Sequence, residues 1–418
     1  MCIRDRIEAP LLRETVLGQR NAIIPGIDPE VEVYGDMPVL AEPDTARGFS
    51  AHDLRDDRDK FGDLANPVID AFPARLTGPW WRFNSIACTV PDAVVHNRLI
   101  FHAGLPVLGI GNLRWEVKAA QVAQAGELTI PEPEVHYSGR TGLLVGRSSF
   151  NYYHFISDML VFIEDLFEQV EKRGLDRIVV NPCREKLGGF QEQLVQMVYP
   201  EIADKVIFTE GPFRADSLTF VHAWPQYFGH SEDDTQAVHV NGLRGVSRRA
   251  YRSSTAPFFE RVERIIGARR GAAQRDVVVI SRKDAPGRKI VNEEELLTAL
   301  APFGARQVAM EHLSVREQVE LCAGARVVIG AHGAGMTNAG FCQSGAVCME
   351  LTGCHYLQRA PDFATFAMVR DINYQFIVAD EEGEIAKMSG NQGNDIRLGQ
   401  SALEHIVAQV DAALTASG

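Results

Sequence analysis

The segment Gly330-Ala-His-Gly-Ala-Gly-Met-Thr-Asn338 follows a short apolar run and holds three glycines, which let a backbone approach a ligand closely. Backbone N–H groups of His332, Gly333, Ala334 and Gly335, with the N-terminus of a helix starting near Met336, could hold a phosphate. A tight strand-to-helix turn around a core histidine has the same spacing. The loop is not a Walker loop, since GxxxxGK is absent; it misses GxGxxG, which disfavours dehydrogenase chemistry, and no GxSxG of a serine hydrolase occurs. A basic cluster, Ser281-Arg-Lys-Asp-Ala-Pro-Gly-Arg-Lys289, follows a second apolar run that should lie parallel to the first. Arg282 and Arg288 there can make bidentate bonds to phosphate oxygens, although a solvated basic loop reads the same way. Glu350, at the carboxyl end of a further strand, could accept from two ribose hydroxyls or cap a neighbouring loop.

A third group opens a helix expected near 152 to 171: Asn151-Tyr-Tyr-His-Phe-Ile-Ser-Asp158. Its core stripe is Ile156, Met159, Leu160, Ile163, Leu166, Phe167 and Val170, with Phe155 and Phe162 as a second apolar edge. At 100° per residue His154, Asp158 and Asp165 share the opposite face. His154 and Asp158, at i and i+4, could form a coupled pair in which Asp158 takes a proton from a substrate hydroxyl; a solvated polar face is the alternative. The pair is too few ligands for a metal and HExxH is absent, so no metal and no cofactor are expected. Asp57-Arg-Asp59 spells a metal-holding DxD, but it lies in a mixed charge run with no apolar strand to deliver it, and reads as surface. Trp80, Trp81, Trp115 and Trp224 could stack on sugars, and are read as core.

These residues need elements to hold them. From residue 140 the pattern alternates: strands at 142–146, 177–181 and 205–208 with helices near 152–171 and 189–198, then strands at 276–281, 307–310, 326–330 and 347–351 with helices from Glu293 and Val315. Alternation of this kind predicts parallel strands covered by helices. Asn292 with Glu295, and Ser314 with Glu317, spell capping boxes. An arginine-dense stretch, 241–275, reads as linker plus amphipathic helix, and 397–414 as a last amphipathic helix. Residues 7 to about 140 are rich in Pro and Gly with short β-like runs at 31–34, 86–90 and 105–110; Met1 to Arg6 resembles translated adapter sequence and is set aside. The expected fold class is α/β. Its expected division is an irregular β-rich region (1–140), a Rossmann-like acceptor domain (141–245), a Rossmann-like donor domain (246–390) and a C-terminal helix (391–418), with a cleft between the two Rossmann-like domains.

The 418 residues carry 42 Lys and Arg against 55 Asp and Glu, a net charge of −13, which disfavours nucleic acid and anionic membranes as partners. Any anionic ligand must therefore meet a local basic patch. Seven cysteines without CxxC spacing imply neither a disulfide framework nor a zinc cluster. No stretch is apolar enough to span a bilayer and no signal-peptide core is present, so a cytoplasmic location is expected.

Taken together, Val279-Ile-Ser-Arg-Lys283, Arg288 to Leu296, Glu311, Leu313-Ser314, Glu317-Gln318, Gly330 to Gly335, Asn338, Phe341 and Glu350 resemble glycosyltransferase family 61. Upstream, Asn151, Tyr153-His-Phe155 and Asp158 resemble that family's N-x-x-H-x-x-x-D element; the chain departs from it at Val161-Phe162, where the family has Pro-Arg. The resemblance covers about residues 140 to 380. It implies a GT-B-like fold of two Rossmann-like domains and inverting, metal-independent transfer of a sugar, from a nucleotide-sugar such as a UDP-sugar, to a hydroxyl of a saccharide acceptor. By carry-over, Arg282, Arg288, His332, Gly333, Ala334, Gly335 and Asn338 would bind the donor, Glu350 its ribose, Asn151 the acceptor, and Asp158 with His154 would activate the acceptor hydroxyl. The resemblance implies a place in capsule or exopolysaccharide biosynthesis, with the chain in the cytoplasm or peripheral to the cytoplasmic face of the inner membrane. A catalytically silent nucleotide- or sugar-binding protein of a polysaccharide assembly is the alternative.

Overall fold

The structure is a computed structural model that describes residues 32–34, 44–45, 49–57, 79–83, 87–96, 99–107, 129–146, 149–166, 174–180, 189–209, 211–221, 239–240, 243–244, 250–252, 254–267, 276–354, 361–383 and 393–416. Met1 to Arg6, Trp115, Trp224 and much of the arginine-dense stretch lie outside the described residues, as do the side chains of Trp80 and Trp81. Two compact units share the chain by interleaving: one takes Met1–Leu40, Phe83–Gly229 and Arg252–Phe258, the other Ala41–Arg82, His230–Tyr251 and Phe259–Gly418.

The first unit is built on an eight-stranded mixed sheet. Val206–Phe208, Arg177–Val180, Val135–Leu144 and Phe213–Val221 run parallel in that order. Ala87–His96 then pairs antiparallel with Phe213–Val221 and continues into the antiparallel strands Leu99–His102 and Leu105–Val107; Glu32–Tyr34 also joins Ala87–His96. The boundary expected at residue 140 is therefore not a division of the fold. Residues 87–107 complete the sheet of the following α/β segment, because Val90, Ala93, Val95 and Ile100 share one core with Leu143, Val179, Phe213 and Phe220. The sheet is half antiparallel, which a purely Rossmann-like domain would not be.

The second unit holds the more regular sheet. Its strands are β1 (Phe49–Asp53), β2 (Asp276–Ile280), β3 (Arg306–Val308), β4 (Ala325–Ala331), β5 (Val347–Thr352) and β6 (Asn373–Val378), and its helices α1 (Glu293–Leu300), α2 (Val315–Gly324), α3 (Pro361–Arg370) and α4 (Gln400–Thr415). All six strands are parallel, in the spatial order β3-β2-β4-β5-β6-β1. Near-continuous Val and Ile runs such as Val277–Ile280 fit strands covered on both faces. On one face Val277, Val279, Val327, Ile329 and Met349 pack with Leu296 and Leu300 of α1 and Ala402, Ile406 and Val410 of α4. On the other, a 3₁₀ helix, Ala334–Phe341, crosses the sheet close to Gly330 and Ile280. Gly340 allows this packing, since a Cβ there would lie 2.4 Å from the Phe259 ring, which itself contacts Phe341 and Phe366.

One expected cap forms and one does not. Ser314 and Glu317 make the reciprocal capping box of α2. Asn292 bonds instead to the backbone of Leu398, donating to its carbonyl at 2.8 Å and accepting from its N–H at 3.0 Å, and its remaining donor goes to Glu295. The residue expected to cap α1 thus ties α1 to the chain that leads into α4. The described cysteines Cys88, Cys322, Cys342, Cys348 and Cys354 are buried free thiols. Among the described residues no helix is long and apolar enough to cross a membrane.

Gly340→Ala should overpack the Phe259–Phe341–Phe366 cluster and destabilise the protein by about 1–3 kcal/mol, seen as a lower thermal midpoint. An unchanged midpoint would show that the 3₁₀ helix is not held against those rings.

Candidate functional site

Strand order in the second unit reverses between β2 and β4. The chain leaves β2 toward β3 on one side and returns through α2 to β4 on the other. Crossovers leaving in opposite directions open a crevice at the strands' carboxyl ends, where ligands of open α/β sheets bind. Both sequence-singled loops sit there. Ser281–Lys289 follows β2, and His332–Gly335 follows β4.

The two loops touch through one side chain. A Cβ on Gly333 would fall 2.0 Å from Nη1 of Arg282, so the guanidinium lies across bare backbone, and Arg282 Nη2 donates to the Gly287 carbonyl at 3.2 Å. Gly333 is extended (φ 173°); space and not backbone conformation requires glycine there. The far end of the basic loop is pinned to Asp395–Arg397, with Lys289 N donating to Asp395 at 2.9 Å and Ile396 N to the Lys289 carbonyl at 2.8 Å. Arg288 holds a left-handed backbone (φ 59°), a conformation that costs a non-glycine residue of order 1 kcal/mol. Its charge is close enough to favour ionisation of Glu350. The first N–H groups of the 3₁₀ helix from Ala334 have no acceptor within the helix, as at any helix start.

Two expected donor contacts take other parts. Asn338 is fully buried, and its Nδ2 donates to Gln318 Oε1 at 3.0 Å and to the Gly335 carbonyl at 3.2 Å, so it fixes the loop from beneath. Glu350 is also fully buried. One carboxylate oxygen meets His332 Nδ1 and the other accepts from the Tyr374 hydroxyl. Both faces of β5 are buried, which a position at the strand's carboxyl end does not disclose. Gln318 was read only as part of the family resemblance, with no role, and Tyr374 was missed, because it belongs to β6, a strand not anticipated at all.

In the first unit, Asn151 caps the helix that begins at Tyr152, its Oδ1 accepting from the N–H groups of Tyr153 and His154 at 3.0 and 3.3 Å. Its side-chain oxygen thereby serves the helix. His154 Nδ1 and Asp158 Oδ2 are 2.8 Å apart, and Ser157 Oγ donates to Asp158 Oδ1 at 2.8 Å. The two side chains are only 19% and 16% exposed, which excludes a fully solvated face. A π turn, Ile156–Leu160, closed by Val161 N to the Ile156 carbonyl at 3.2 Å, surrounds Asp158. Such turns recur at functional sites. The extra residue shifts the helical phase, so the count that grouped Asp165 with the pair does not extend past it. Gly146, at the end of Val135–Leu144, lets this helix approach: a Cβ would lie 2.6 Å from Met159 Cγ.

Of the Asp57-Arg-Asp59 motif, Asp57 is exposed with its backbone N–H on Asp380, and Arg58 and Asp59 lie outside the described residues. Among the described residues no group of three or more His, Cys, Asp or Glu side chains is placed to hold a metal ion.

Residues 152–349 match the family model Glycosyltransferase 61. The chain carries a glycosyltransferase family 61 domain. With it comes glycosyltransferase activity, hence a sugar donor and an acceptor. No curated protein matches the chain. The matched span opens on the His154–Asp158 helix, takes in both loops at the strand reversal, and stops one residue before Glu350.

Electrostatics of the family 61 domain's loop region centre on that carboxyl. Burial pushes Glu350 up from 4.5 to about 8, while the Tyr374 hydroxyl and the Arg288 charge pull it back toward ionisation. The folded protein therefore keeps a proton that the unfolded chain loses above pH 4.5, so this group's contribution to stability falls as pH rises from 4.5 to about 8. Glu350→Gln should flatten that part of the pH dependence, read as thermal midpoints between pH 5 and 8; parallel curves for variant and parent would refute it. Gly333→Ala should displace the flexible end of Arg282 at a cost in stability below about 1 kcal/mol, yet abolish stabilisation by pyrophosphate in a thermal-shift titration. Retained stabilisation would show that Arg282 does not act from that position.

Proposed function

We propose that the chain is an inverting, metal-independent glycosyltransferase that moves a sugar from a nucleotide-sugar, a UDP-sugar, to a hydroxyl of a saccharide acceptor. The observation that carries the donor half is the Arg282 guanidinium laid across Gly333 at the strand reversal, beside a Gly-rich loop that opens a helix. Arg282, Arg288 and the amides of Gly333 to Gly335 would bind the diphosphate, the His332 N–H being spent on the Leu351 carbonyl at 2.9 Å; fixed cations and dipoles of this kind stabilise a departing diphosphate without a metal. Asn338 and Glu350 would support that loop without touching the donor.

For the acceptor half, the His154–Asp158 contact supports a coupled pair in place of Asp158 alone. With Asp158 on Nδ1, Nε2 of His154 is the nitrogen left to take the acceptor's proton, and Asp158 would orient the ring and stabilise the imidazolium. Inversion requires such a base on the sugar face opposite the diphosphate. The proposed setting is capsule or exopolysaccharide assembly, in the cytoplasm or at the cytoplasmic face of the inner membrane.

The test is calorimetry of nucleoside diphosphates in EDTA, followed by transfer assays with the nucleotide-sugar that binds. Uridine diphosphate should bind without metal, Arg282→Ala should weaken it by more than ~1.5 kcal/mol, and Asp158→Asn should spare binding while removing transfer. An absolute need for Mn²⁺, or unchanged affinity in Arg282→Ala, would overturn the donor site. Binding without transfer to any saccharide acceptor would favour a silent nucleotide-binding protein.

A further inference from the structure

Beneath the Gly-rich loop, His332, Glu350 and Tyr374 form a buried chain of hydrogen bonds across three consecutive positions in the sheet. His332 Nδ1 meets one oxygen of Glu350, and the Tyr374 hydroxyl donates to the other. His332 directly follows β4, Glu350 lies on β5 opposite Gly330, and Tyr374 lies on β6. Glu350 has no exposed surface, Tyr374 1% and His332 5%. A buried, hydrogen-bonded carboxyl is seldom the most stable choice for a strand interior, where an apolar side chain of similar volume does as well or better. Neither Glu350 nor Tyr374 reaches a ligand at this depth, so whatever they do for one passes through His332.

The chemistry of that contact fixes more than orientation. One proton lies between Nδ1 and the carboxylate oxygen, and it has two placements: on the carboxyl, leaving a neutral ring, or on Nδ1 as an imidazolium against a carboxylate. In both placements the ring's other nitrogen, Nε2, carries a hydrogen and is a donor. Once one more proton leaves the pair, the ring keeps its single hydrogen on Nδ1, facing the carboxylate, and Nε2 becomes an acceptor. The pair thus titrates as a unit, and its protonation sets the polarity of Nε2.

We infer that Glu350 and Tyr374 are positioning residues that hold His332 with Nε2 as a hydrogen-bond donor toward the diphosphate of the sugar donor. The inference rests on the donor-site reading above and deepens it, giving the loop a neutral or cationic donor beside Arg282 and Arg288. Charged and titratable groups near the pair include Arg288, which favours the Glu350 carboxylate; Asp362 and Cys348, which act on Tyr374; and Arg282 across the adjacent Gly333. The Phe363 ring, 5.0 Å from the imidazole, packs on it without charge. Burial outweighs Arg288 and the Tyr374 hydroxyl and raises the Glu350 carboxyl to about 8.

The test is calorimetric titration of uridine diphosphate in EDTA between pH 7 and 9.5, above the second phosphate ionisation near ~6. The parent protein should keep its affinity to about pH 8 and lose about tenfold above it. Tyr374→Phe removes a hydroxyl that favours the carboxylate, so its loss of affinity should move to higher pH. Glu350→Gln, which cannot share a proton, should show no step, and His332→Ala should bind more weakly throughout. Circular dichroism establishes that each variant is folded, and Tyr374→Phe suffices where Glu350→Gln is not. General loosening would weaken binding equally at every pH without moving the step. A step at the same pH in the parent, Tyr374→Phe and Glu350→Gln proteins overturns the positioning role and leaves the donor site standing. No binding of uridine diphosphate by the parent overturns the donor-site reading, and this inference with it.

Discussion

A guanidinium resting on bare backbone is the contact around which the second unit is arranged. Arg282 can cross Gly333 only because the loops after β2 and β4 leave the sheet side by side, and they do so because the strand order reverses between them. The reversal in turn needs covering on both faces: α1 and α4 on one, the 3₁₀ helix and the rings of Phe259, Phe341 and Phe366 on the other. Glycine recurs wherever these layers touch, at Gly330 under Met336, Gly335 against Ile280 and Gly340 under Phe259. Two of the three glycines that look like a ligand loop in the sequence, Gly330 and Gly335, are thus also packing sites, and the third, Gly333, yields its space to a charged side chain.

Much of this sheet was legible. Strands β2 and β4 announce themselves through the Val and Ile runs Val277–Ile280 and Val327–Ile329 because both faces are buried, and Ser314 with Glu317 announces α2 because its capping bonds are local. Legibility failed where a partner is distant in sequence. Asn292 has every local feature of a cap, yet the Leu398 backbone, brought in by α4, captures its side chain. Glu350 stands where ribose-binding carboxylates stand, and its bond to Tyr374, on a strand not anticipated from the sequence, becomes visible only in the folded sheet. The His154–Asp158 pair was legible from i, i+4 spacing; the π turn around it was not, since nothing in Ile156-Ser-Asp-Met-Leu160 distinguishes it from ordinary helix.

The two candidate clusters treat charge in contrasting ways. The chain as a whole is acidic, with a net −13, and the four basic side chains of Ser281–Lys289 concentrate opposite charge at one loop. In the first unit Asp158 is enclosed by local donors, an imidazole one turn away and the adjacent serine hydroxyl, so one short helical segment assembles the whole pair. In the second unit Glu350 draws its donors from two other strands, so its setting exists only once the sheet has formed.

Strand β1 gives the second sheet its far edge, yet it is contributed by residues 49–53, which precede nearly the whole first unit in the chain. Its partner β6 is Asn373–Val378, so during synthesis this segment emerges early and must wait unpaired while the intervening strands are made. Pairing of such long sequence separation is slow and leaves an open sheet edge in the meantime. The interleaving also means that a fragment cut to the family match at 152–349 would lack β1, β6 and α4 of one sheet and residues 87–107 of the other. The heritable unit recognised by sequence similarity and the unit able to close its own hydrogen-bonded edges are, in this molecule, different lengths of chain.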